Sequence, residues 1–244
     1  MPGGSMEVHK PRAVHGWREL ASEIGVIVVG VLIALAAEQV VQSLEWSHKI
    51  KLAEEAMAFE IGDDNAPEIY SRAMLHPCLT AKLDQIRGTV EAHRPREEVV
   101  KLTDSYQLQF LSFDSLAHDA ANASGVTLHM PLKALQKWTD LYSMMPFMDR
   151  TNAREAQDIA HLKALSRTGG PLSDQERDRV LDAVETLRYD ERQMISAASF
   201  SLAKIKAAGI EPGVPRMTRF TTWAKNHYGD CPKPLPADWV IPSE

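Results

Sequence analysis

Apolar positions follow two patterns along this chain, and the first needs no period to describe it. The run Ile24-Gly-Val-Ile-Val-Val-Gly-Val-Leu-Ile-Ala-Leu-Ala-Ala37 carries no charge on any face and is framed by Glu23 and Glu38. A helix on the surface of a soluble protein keeps a polar stripe, so an all-round apolar run belongs in a core or in lipid. The fourteen residues alone are short for a hydrocarbon layer of about 30 Å. Counted from Leu20 to Val41, with Glu23 and Glu38 roughly 22 Å apart at 1.5 Å per residue, the stretch reaches both headgroup zones where the bilayer thins or the carboxylates snorkel. The pattern predicts a transmembrane helix over 20–41 behind a disordered cytoplasmic tail at 1–19. A buried core helix is one rival. A signal peptide cut after Ala36 is another, because Ala34-Leu-Ala36 forms an A-x-A site behind an apolar core.

Beyond the run, apolar residues return at three- and four-residue intervals, the helical pattern. Val41, Leu44, His48, Leu52, Glu55 and Phe59 make one such row, and Ile50, Ala53 and Met57 another, so the helix is expected to continue to about Ile61. Gly62-Asp-Asp-Asn65 loosens it, and Pro67 suits the first turn of a renewed helix. Ile69, Ala73, His76, Leu79, Leu83, Ile86 and Val90 carry a stripe to about Ala92, with a kink expected at Pro77. His93-Arg-Pro-Arg96 breaks the pattern. A short helix is expected over Arg96–Phe110, and a second over Phe113–Ser124, capped by Ser112 and ended by Gly125. Pro131 opens a helix with Leu132, Leu135, Trp138, Leu141, Tyr142 and Met145 on one face; a kink at Pro146 and the positions Ile159, Leu162 and Leu165 take it to about Arg167.

Thr168-Gly-Gly-Pro171 is a turn. Ser173-Asp-Gln-Glu176 is a capping box, in which serine and glutamate each bond a backbone N–H at a helix start. The seam that follows, Val180, Val184, Leu187, Glu191, Ile195, Ala198, Leu202 and Ile205, is interrupted only by Glu191, and Gly209 and Pro212 end it. A rod of roughly 52 Å buries such a seam only against other long helices. No period-two alternation is sustained anywhere. The expected fold is all-α: a transmembrane helix continuing into an antiparallel helical bundle over 42–210. An extended Pro-rich strap over 211–244 packs on the bundle through Phe220, Trp223, Tyr228 and Trp239.

Charge and cysteines decide which side of a membrane the bundle occupies. Lys10, Arg12 and Arg18 precede the span and Lys49 and Lys51 follow it, a small bias that puts the N-terminus in the cytoplasm. Cys78 and Cys231 suit one disulfide in an oxidising compartment, tying the C-terminal region to the bundle; two buried free thiols are the alternative. The two signals agree on a periplasmic body. A net charge of −6 with no long basic run gives nucleic-acid binding no electrostatic support.

Glu23-x6-Gly30-Val-Leu-Ile-Ala-Leu35, followed by Glu38-Gln39 and Trp46, resembles the N-terminal anchor of uncharacterised bacterial single-pass membrane proteins. Pro77-Cys78-Leu-x3-Leu83 and Phe113-x-x-Leu-x4-Ala121-x3-Gly125 resemble the proteobacterial members of that set. The resemblance implies a membrane location and brings no activity with it; with the charge and cysteine signals, the expected place is the bacterial inner membrane.

Signals for chemistry are sparse. Glu45-Trp-Ser-His48 matches half of a carboxylate-bridged metal motif once, and Asp158-Ile-Ala-His161 nearly does; both read better as solvated pairs. Asp114 and His118 read as a surface i,i+4 contact, Glu60 with Asp63 and Asp64 as a solvated helix end, and Met144, Met145 and Met148 as core filling or the wall of an apolar groove. Gly-rich phosphate loops and Gly-x-Ser-x-Gly elbows are absent from the sequence. Gly30 and Ala34 have the small-x3-small spacing that lets two membrane helices approach, so a homo-oligomer is one expectation. The sequence therefore points to a membrane-anchored interaction or scaffolding module with an unidentified protein partner, with no cofactor, metal or catalytic residue. A ligand-sensing bundle is the alternative, and a metal-dependent enzyme ranks last.

Overall fold

The computed structural model describes residues 16–109, 112–167, 169–233 and 235. It is all-α, with no strand among the described residues. Its helices are α1 (Trp17–Phe59), α2 (Ala66–Glu91), α3 (Arg96–Ser105), α4 (Leu116–Ala123), α5 (Leu132–Tyr142), α6 (Met145–Ser166), α7 (Asp174–Ala207) and α8 (Val214–Tyr228). A π-helical turn, Glu60–Asn65, joins α1 to α2, and a 3-10 turn, Val126–His129, joins α4 to α5. The chain divides into two compact units, Met1–Lys49 and Ile50–Glu244.

In the first unit, α1 is long and apolar enough to cross a membrane, and every residue from Leu20 to Val41 is exposed. Arg18 lies 5.8 Å from the centre of the Trp17 ring, and Lys49 lies 4.7 Å from that of Trp46. The basic tail residues Lys10 and Arg12 fall outside the described residues.

The core of the second unit is α2, α6 and α7. Arg72 of α2 meets Glu191 of α7, and Arg87 meets Glu185, so the two helices run antiparallel. Arg154 of α6 meets Asp190, and Met148 meets Ser201, which makes α6 antiparallel to α7 as well. The expected stripes do bury: Leu79, Leu83 and Ile86 from α2, Leu162 from α6, and Val180, Val184 and Leu187 from α7 share one cluster. Met145 and Met148 are fully buried, so the methionine group fills core. The capping box forms, with Glu176 N–H donating to Ser173 Oγ at 3.3 Å and Ser173 N–H donating to Glu176 Oε2 at 2.8 Å. Arg96 reinforces that end, donating to Glu176 at 2.9 Å and to the Gly170 and Pro171 carbonyls.

Four boundaries differ from the sequence expectation. The region read as an extended strap is helical over Val214–Tyr228. Pro215 sits in the first turn, where its missing N–H has no intrahelical partner to lose, and Phe220 and Ala224 turn one face into the core cluster. Trp239, called as another anchor of the strap, lies outside the described residues. The helix expected over Arg96–Phe110 stops at Ser105, and the one expected from Phe113 begins at Leu116 without Ser112 as its cap. Its first N–H groups bond Glu60 instead: Leu116 N–H to Oε1 at 2.8 Å and Ala117 N–H to Oε2 at 2.9 Å. Glu60 is thus a buried cap on a distant helix rather than part of a solvated end. At Pro146 the chain starts a new helix instead of kinking one, and Leu132, expected on the buried face of α5, is 68% exposed.

Two glycines permit a close crossing at the π-helical turn. Gly213 N–H donates to Gly62 O at 2.8 Å, and a Cβ on Gly213 would stand 2.5 Å from Asp63 Oδ1. Cys78 and Cys231 lie at disulfide distance, with Cα atoms 5.8 Å apart.

Candidate functional site

The densest polar chemistry is buried where α2, α6 and α7 meet. Arg72 follows Ile69 by three residues on the buried stripe of α2, Glu155 precedes Ile159 by four on α6, and Glu191 stands in the seam of α7. Helical spacing thus sends all three inward, and they are 1%, 0% and 2% exposed. Arg72 Nη2 donates to Glu155 Oε1 at 2.7 Å and Oε2 at 2.9 Å, and to Glu191 Oε2 at 2.6 Å. The other oxygen of Glu191 faces His76 Nδ1 at 3.2 Å. Tyr106, fully buried, closes the site; its hydroxyl and the Nε and Nη1 of Arg72 have no hydrogen-bond partner among the described residues.

One guanidinium cannot neutralise two desolvated carboxylates, and a proton makes up the difference. Burial pushes Glu155 up to about 8 against the pull of Arg72, and the neighbouring Glu191 charge adds to the rise. Glu191 feels the same burial, but Arg72 and His76 outweigh it and hold its carboxyl below the usual range. At neutral pH the set is therefore Arg72 cation, Glu191 anion and protonated Glu155, with no net charge. Tyr106 is driven well above its ordinary value by burial and then by the two glutamates, so it stays a neutral phenol. The network links α2, α6 and α7 through one guanidinium. All of its members except the half-buried His76 are closed to solvent.

A cavity of about 340 Å³ opens beside the network, lined by Gln107, Leu108, Asn152, Ala156, Ile159 and Lys163. It sits at the small end of the range for ligand sites. Asn152, Ala156 and Ile159 flank Glu155 on α6, and burial lowers Lys163 from its ordinary value.

The residues singled out from sequence do not gather there. Glu45 pairs with Lys49 at 2.6 Å, and His48 is exposed. Asp114 and His118 do not pair with each other: Asp114 N–H donates to Asn65 Oδ1 at 2.9 Å, while the His118 ring stacks on Tyr142 at 4.8 Å. Asp158 rises above its usual value through burial and then through Asp190. Among the described residues no group of three or more His, Cys, Asp or Glu side chains is placed to hold a metal ion. Gly30 and Ala34 are exposed along α1. Arg72, Glu155 and Tyr106 were not singled out; the signal for Arg72 and Glu155 was a charged residue in phase with an apolar stripe, as Glu191 is with its own, and Tyr106, just past the end of α3, carried no such signal. Compared with known proteins, the chain matches no family model, no curated protein and no solved structure.

Proposed function

We propose that this is a membrane-anchored interaction module, with α1 crossing the bacterial inner membrane, the N-terminus in the cytoplasm and the helical body in the periplasm. One observation carries the anchor. Trp17 and Trp46, each with a cation against its ring, bracket a helical stretch exposed on every face. They are roughly 44 Å apart at 1.5 Å per residue, the thickness of a bilayer with its headgroups, about 40–45 Å, and tryptophan concentrates at those two depths. The Cys78–Cys231 pair supports an oxidising compartment for the body.

The interaction role is supported by where apolar surface remains. Leu116, Leu128 and Leu132, from α4 through the start of α5, are 73%, 86% and 68% exposed. Large apolar side chains left on a surface offer contact area to a partner. The test is a carbonate wash of native membranes, then a pull-down from them with Leu128→Asp as the control. Retention in the pellet and a co-purifying protein lost with Leu128→Asp support the reading. Release by carbonate overturns the anchor, and a partner list unchanged by the substitution overturns the contact surface. The cavity beside Glu155 favours a second reading, a ligand-sensing bundle. It requires a small molecule whose binding is lost in Lys163→Ala and Asn152→Ala.

A further inference from the structure

We propose that Leu128 and Leu132 seat the helical body on the bilayer that α1 crosses, by entering a headgroup layer of anionic lipid; the inference rests on α1 being a membrane span. Contacts inside the second unit fix where these leucines lie. The helical path runs unbroken from α1 through the π-helical turn into α2. Past α3 the chain travels back along it. Ser112 N–H donates to Glu68 Oε2 at 3.0 Å, Asp114 N–H to Asn65 Oδ1 at 2.9 Å and Leu116 N–H to Glu60 Oε1 at 2.8 Å, so each step comes nearer to the start of the unit.

The helix α5 then climbs the same path. Trp138 Nε1 donates to Glu54 Oε1 at 3.1 Å, and one turn later the Tyr142 hydroxyl donates to Glu60 Oε2 at 2.8 Å. These contacts run α5 parallel to α1, and its first residue, Leu132, stands roughly 9 Å before Trp138 at 1.5 Å per residue. Glu54 is itself only about 6 Å along the axis from Ile50, where α1 enters the unit. Leu132, and Leu128 in the 3-10 turn before it, therefore lie at the end of the body from which the span departs. They are 68% and 86% exposed there. Leu116, held at the level of Glu60, lies farther from that end and is what remains for a protein partner.

Charge and tethering select lipid as the occupant. In a chain of net charge −6, the stretch from Ala120 to Lys137 holds Lys133 and Lys137 and no carboxylate. Both lysines are exposed. The carboxylates that bound the stretch are occupied: Asp119 accepts from Ser115 Oγ at 2.9 Å, and Asp140 accepts from Lys204 Nζ at 2.9 Å. Leucines beside lysines are the pattern of a segment lying in a membrane interface, with the apolar side chains at the acyl boundary. The lysine stems cross that apolar depth while their ammonium groups stay with the lipid phosphates. The span already holds this end of the body beside lipid, so a high local concentration lets a small contact suffice.

Bimane attached at Leu128→Cys, Leu132→Cys or Asp178→Cys tests the contact, in the full chain reconstituted into vesicles with the Cys78–Cys231 pair left joined. The vesicles are phosphatidylcholine, alone or mixed with phosphatidylglycerol, and carry a nitroxide at the lipid headgroup. Asp178 serves as the distant site, since its neighbour Arg177 donates to Val90 O near the far end of α2. In the mixed vesicles, quenching at 128 and 132 should be several-fold stronger than at 178. Lys133→Glu with Lys137→Glu should remove most of it, as should leaving out phosphatidylglycerol. Quenching at 128 and 132 no stronger than at 178 overturns the contact, and quenching indifferent to both the lysines and the phosphatidylglycerol overturns the anionic headgroup as its ligand. A protein that co-purifies from native membranes and is lost with Leu128→Asp, while 128 stays unquenched in vesicles, gives this face to a protein instead. Carbonate extraction of the same vesicles keeps the claims apart. Release of the chain overturns the span, whereas retention without quenching overturns only the lipid contact.

Discussion

The two units handle polarity in opposite ways. From Leu20 to Val41, α1 exposes apolar side chains on every face and carries two carboxylates, Glu23 and Glu38, one near each end. The helical body does the reverse, surrounding Arg72, Glu155 and Glu191 with packed apolar residues until they are almost fully dry. A lipid-facing helix has only its own length along which to compensate a charge, so it excludes charges from its middle. A bundle of three helices can bring a cation from one helix to carboxylates on two others. The contrast shows that what makes a buried charge tolerable is a partner on a neighbouring element.

The sharpest way to break that contrast is to remove the shared cation. Arg72→Met leaves two buried carboxylates without their partner and should destabilise the body by about 3–5 kcal/mol, measured by urea unfolding of the detergent-solubilised chain. Replacing all three residues by apolar ones should recover most of that loss. If Arg72→Met alone is harmless, the network is not what holds the helices. The mirror-image experiment puts a charge where no neighbour can answer it. Leu32→Asp should cost about 3 kcal/mol of insertion and be seen as release of the chain by carbonate; unchanged retention would mean α1 is not a span.

A smaller effect reports the shared proton. Glu155 has a folded value raised above its usual 4.5, so the stability it gives is full below that pH and is lost as pH rises through about 8. Glu191 is lowered, so its contribution is lost on the acid side. The body should therefore lose on the order of 2 kcal/mol between pH 6 and pH 9, and Glu155→Gln should flatten that slope. An identical slope in the variant would place the proton elsewhere. Smallest of all, Ser173→Ala removes one half of the capping box and should cost about 1 kcal/mol in the same unfolding assay, with no change in the pH slope.

Legibility in the sequence followed how local the cause was. The seam of α7, the stripe of α2 and the Ser173–Glu176 box depend on residues within a few turns of one another, and each is where the pattern puts it. The left-handed Gly125 is equally local. Elements fixed by distant partners were misread. The start of α4 depends on Glu60, more than fifty residues upstream, and α8 was hidden by prolines that mark its first turn rather than preclude it. The buried network lies between these cases. Glu191 was visible as an interruption in a seam, but its cation, Arg72, is 119 residues away and its companion, Glu155, lies on a third helix.

The Cys78–Cys231 pair has a consequence for how the body comes apart. With those sulfurs joined, a protease that nicks the chain at Gly169–Pro171 severs the backbone between α6 and α7 without freeing either piece. The nicked molecule should migrate as one band until a thiol reductant is added, then as two.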